Sequence, residues 1–131
     1  MPDATHKLVD PTEDLLRQVP TVLVQEDGTV MSTAFCPSRL DDGGLSTLRG
    51  YVGPEEAYLR WAAGPSAESR GTWSINVGFA AAQDLPAYDD SGHPEMPEDH
   101  ATVDFTAHSK GQRTRLARIL RDKSVALFVA E

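Results

Sequence analysis

The stretch HATVDFTAHSKGQRTRLARILRDKSVALFVA, residues 100–130, decides the fold class. Its first nine residues alternate. Ala101, Val103, Phe105 and Ala107 fall on one side, and His100, Thr102, Asp104, Thr106 and His108 on the other. A period of two predicts a strand over 100–108 with the apolar set inward and the polar set outward. The period then changes. Ser109 suits a helix N-cap, and from about 110 to 122 Leu116, Ile119 and Leu120 make one helical stripe. VALFVA (125–130) comes last, as a strand apolar enough to be central.

Upstream segments extend the pattern. TWSINVGF (72–79) alternates Trp73, Ile75, Val77 and Phe79 against small polar residues, and AAAQDL (80–85) adds a helical turn. Gly53-Pro54-Glu55-Glu56 opens a helix with acids in its first turn, and Gly64-Pro65 closes it. LSTLRGYV (45–52) reads as a short strand. TVLVQ (21–25) and TVMSTAFC (29–36) flank Glu26-Asp27-Gly28 as a hairpin. Asp10-Pro11-Thr12-Glu13 reads as a helix start, with Pro20 ending that helix. Residues 86–99 hold three prolines and five acids and read as a long irregular loop. The expected fold is therefore α+β: a mixed or mainly antiparallel sheet of five to six strands, with two to three helices on one face. Residues 1–9 are expected to be a flexible N-terminus and 10–131 a single domain. Its core is expected to include Trp73, Ile75, Val77, Val103, Phe105, Leu116, Leu120, Leu127 and Val129.

Composition narrows the functional classes. The chain has 131 residues, one domain's worth, and a formal net charge of −8. No apolar run is long enough to span a membrane, and the N-terminus lacks the apolar core of a secretory signal, so a cytoplasmic location without membrane contact is expected. Cys36, the single cysteine, reads as a core thiol. The histidines are spaced too widely along a strand to share one ion, so neither a metal nor any other cofactor is expected. Phosphate-loop, nucleophile-elbow and zinc-protease motifs are absent from the sequence.

Charge is unevenly placed. Residues 109–123 carry six basic groups against Asp122, a net +5, while the rest of the chain is strongly acidic. Burying the Leu116 stripe turns Lys110, Arg115, Arg118 and Arg121 outward as a partner-binding face. An acidic protein partner ranks first for this face. RNA or DNA ranks lower, because the acidic body opposes a phosphate chain and no aromatic residues interleave with the helix.

Arg17-Gln18-Val19, the Gly28–Val30–Ser32–Ala34–Phe35–Pro37 run, Leu45-Ser46, and Pro97, His100, Ala101 and Asp104 carry a resemblance. The chain resembles a family of short, uncharacterised bacterial proteins. No activity accompanies that resemblance, which implies a bacterial accessory protein of the defence or mobile-element kind. A further likeness is to the three-part sites of small ADP-ribosyltransferase-like folds, in which Arg17 would meet dinucleotide phosphates, Ser46 would support a ribose, and His100 would be the third polar group. Three functional readings stand. The first is a non-enzymatic interaction protein. The second is an enzyme acting on a nucleotide-like ligand through Arg17, Ser46 and His100. The third is nucleic-acid contact through the basic helix.

Overall fold

The computed structural model describes residues 7–38, 42–65 and 67–130. Its strands are Lys7–Leu8 (β1), Asp14–Pro20 (β2), Gly44–Leu48 (β3), Ser69–Asn76 (β4), Ala87–Asp89 (β5), His100–Asp104 (β6) and Ala126–Val129 (β7). The helices are Pro54–Ala62 (α1), Val77–Ala82 (α2) and Lys110–Lys123 (α3). All strand pairs are antiparallel, in the order β1-β5-β6-β3-β2-β4-β7. The fold is α+β, with seven strands in one sheet rather than five or six.

The additional strands come from segments with another expected role. Asp10 does make the local bonds of a cap, accepting from the Thr12 amide at 2.8 Å and its hydroxyl at 2.6 Å. The segment behind that cap is nevertheless β2, not a helix, because all seven of its residues pair with β4. Leu15, Leu16 and Val19 satisfy either period, and long-range pairing overrides the local signal. Lys7 and Leu8 pair with Asp89 and Tyr88, and Val9 is buried, so the expected flexible start does not reach residues 7–9; residues 1–6 lie outside the described residues. Inside the expected 86–99 loop, β5 pairs with β6.

Other expectations shift in the opposite direction. The Glu26-Asp27-Gly28 turn forms, yet its arms meet at a single bridge, Val24 to Val30. Residues Thr21–Leu23 and Ser32–Phe35 wind into short 3₁₀ turns, the second bringing Ala34 and Phe35 into the core. The 72–79 strand ends at Asn76, whose side chain accepts from the Phe79 amide at 2.9 Å and starts α2. β7 is an edge strand, not a central one. Leu127 and Val129, expected in the core, are 39% and 50% exposed. An apolar run of this length is compatible with either position.

Helices occupy both faces of the sheet, not one. Leu15, Val19, Trp73, Ile75, Val103 and Phe105 form the main core with Leu116, Ala117 and Leu120 of α3. Leu16, Gln18 and Thr72 alternate to the opposite face, where α1 packs. There Gln18 donates to Thr72 Oγ1, Thr72 donates to the Pro54 carbonyl, and Ser69 donates to Gln18 Oε1, each at 2.7 Å. β2 and β3 are joined at one pair, Leu16 with Leu48, and splay beyond it. That seam divides the sheet into β1-β5-β6-β3 and β2-β4-β7, and a groove opens over it.

Candidate functional site

The floor of the seam groove is Leu16 and Gln18 of β2, Ser46 and Leu48 of β3, and His100 of β6. Ala57, Arg60 and Trp61 of α1 wall one side, and Met96, Pro97 and Glu98 another. The volume is about 310 Å³, at the small end of the range for small-molecule sites. Ladder register explains the floor. Leu48 sits opposite His100 and Ser46 opposite Thr102, so alternate residues of β3 and β6 share this face.

His100 and Thr102 belong to the polar set expected to face solvent, together with Asp104. All three are buried. The face they occupy is covered, and Asp90, itself 1% exposed, supplies partners. His100 Nδ1 is 2.6 Å from Asp90 Oδ1, and Thr102 donates to Asp90 Oδ2 at 2.6 Å. Burial pushes the Asp90 carboxyl up, but the bonds from His100 and Thr102 outweigh it and hold the group below its ordinary value. An ionised Asp90 fixes the tautomer, with Nδ1 carrying the proton and Nε2 left as an acceptor on the neutral ring. Nothing local in the sequence marks Asp90 as a site residue. It stands ten residues before His100 in an acid-rich loop.

Arg17, Ser46 and His100, distant in sequence, all line this groove. Their roles differ. Ser46 is exposed on the floor. Arg17 alternates toward the core face, where its Nε donates to the Ala34 carbonyl at 2.8 Å and its Nη1 to the Ser46 carbonyl at 2.9 Å. It thereby bridges the strands where their ladder has lapsed. Arg60 is tied to Glu56 at 2.9 Å and to Asp99 at 3.0 Å. Trp61 is held by its indole N–H, which donates to the Ala67 carbonyl at 2.6 Å.

The basic helix forms a second surface. Ser109 and Gln112 make a reciprocal capping box at its start. Lys110, Arg115 and Arg118 are exposed and make no ion pair among the described residues, whereas Arg121 is paired with Asp122 at 2.9 Å. Cys36, expected in the core, is only partly buried against it. Among the described residues, no group of three or more His, Cys, Asp or Glu side chains could hold a metal ion, and no helix is long and apolar enough to cross a membrane. The chain matches no family model, no curated protein and no solved structure.

Proposed function

We propose that the chain binds a small nucleotide-like ligand in the seam groove and exchanges a proton with it through His100. The reading rests on one observation: Arg17, Ser46 and His100 line the same ligand-sized groove, and His100 is oriented there by buried Asp90. A buried carboxylate on Nδ1 leaves Nε2 to work as hydrogen-bond acceptor or general base. Ser46 contributes a hydroxyl beside it, and Arg17 acts by holding the two strands at the groove floor. The test is a titration of isotope-labelled protein with nucleosides and nucleoside monophosphates, monitored by NMR. Shifts centred on Leu16, Ser46, Leu48 and His100 are expected, and they should vanish in Ser46→Trp, which fills the groove from an exposed position. If no member of the panel shifts these residues, the reading fails.

A second reading is favoured by Lys110, Arg115 and Arg118, the exposed cations of α3 without an ion pair among the described residues. In it the chain is an interaction protein whose basic face docks an acidic protein partner. Charge complementarity would set the on-rate and specificity of that contact. Arg115→Glu, Arg118→Glu and Arg121→Glu together should leave the fold intact and abolish salt-sensitive capture of acidic partners. Undiminished capture would move the interface elsewhere.

A further inference from the structure

We infer that the groove selects an uncharged, flat heterocycle bearing an N–H donor, the chemistry of a nucleobase or nucleoside without its phosphate. This rests on the proposed ligand-binding role of the groove and narrows it. A phosphate site needs cationic or amide donors that are not already engaged. The two cations at this groove are both engaged. Arg17 gives Nε and Nη1 to the carbonyls of Ala34 and Ser46. Arg60 is neutralised by Glu56 and Asp99 together.

The surrounding field points the same way. Glu98 adds a negative group at the rim. Ala57, Arg60 and Trp61 line the groove from one side of α1, and the first-turn residues of that helix do not, so its N-terminal amides offer a phosphate no site here. Its positive end carries Glu55 and Glu56 in the first turn. A phosphate entering here would lose its water and gain no free positive partner, which is unfavourable in a partly enclosed site.

The remaining surface suits a ring. Leu16, Leu48 and Pro97 offer flat apolar contact, and the indole of Trp61 is fixed in place. His100 Nε2, an acceptor while Asp90 holds Nδ1–H, takes a ring or exocyclic N–H. The volume, about 310 Å³, accommodates a nucleoside and leaves little room for a dinucleotide.

The experiment is a calorimetric titration of the intact chain with adenosine, guanosine, cytidine and uridine, each against its 5′-monophosphate. At least one nucleoside is expected to bind, with its monophosphate at least tenfold weaker. Glu56→Gln, a change at an exposed residue that partly releases Arg60, should shrink that gap severalfold. A monophosphate that binds as tightly as its nucleoside, at the same residues, overturns the inference while the groove reading survives. An unchanged gap in Glu56→Gln overturns the electrostatic basis of the inference. Failure of every nucleoside and monophosphate to bind overturns both readings.

Discussion

Glu13 and Arg49 meet across the seam at two points, Nε to Oε2 at 2.7 Å and Nη2 to Oε1 at 2.9 Å. Glu13 precedes β2 and Arg49 comes after β3, so the pair fastens the two parts of the sheet just past their last shared ladder position. Asp89 of β5 engages Nη1 of the same guanidinium, and the Gly50 amide donates to Glu13 at 3.0 Å.

The bond from Arg49 holds the Glu13 carboxyl below its ordinary value. A depressed folded-state pKa stabilises the fold fully above the unfolded value, about 4.3, and that stabilisation is lost as pH falls through the folded value. Glu13→Gln should therefore cost about 1–3 kcal/mol at pH 7 and much less at pH 3. Urea unfolding at the two pH values measures the difference, and an equal loss at both would sever it from ionisation.

Phe105 has no exposed surface and lies in the main core with Val103 and Leu116. Phe105→Ala should cost about 3–5 kcal/mol in a denaturant melt. By contrast, Leu127→Ser on the exposed edge should cost less than about 1 kcal/mol. Equal losses would mean that β7 is covered in solution.

Gly71 of β4 has φ +153°, and a Cβ there would strike the Phe128 carbonyl of β7. Gly71→Ala should destabilise by more than about 1 kcal/mol and raise amide exchange in β7 selectively. Uniform exchange across the sheet would place the strain elsewhere.

His100→Asn removes the Asp90 contact while keeping a polar side chain of moderate size. Asp90 would then be a buried carboxylate short of one of its two side-chain donors, at an expected cost of about 1.5–3 kcal/mol. His100→Asn with Asp90→Asn should recover part of that loss. A double variant no more stable than the single one would show that the charge of Asp90 is not what the histidine satisfies.

Short-range chemistry makes part of this fold legible. The Ser109 N-cap, the Pro54 start of α1 and the Leu116–Leu120 stripe are all written within one or two helical turns, and each is found where the local sequence places it. β2 is the contrary case: its seven residues carry a cap signal in front and a proline behind, and only pairing with β4, 49 to 62 residues on, makes it a strand. The same distance hides much of the site. Ser46 and His100 can be named from sequence as polar residues on strands, whereas Asp90 becomes a partner of His100 only when its loop folds over β6. The outward face expected for His100 and Thr102 comes from alternation alone. Alternation gives two faces and says nothing of which is covered.

The seam also constrains how the protein can be divided. The chain passes from one part of the sheet to the other at every connection between strands except that from β5 to β6. Neither part is a contiguous length of polypeptide, so the two are laced like warp and weft rather than joined end to end. No single cut releases a self-contained half.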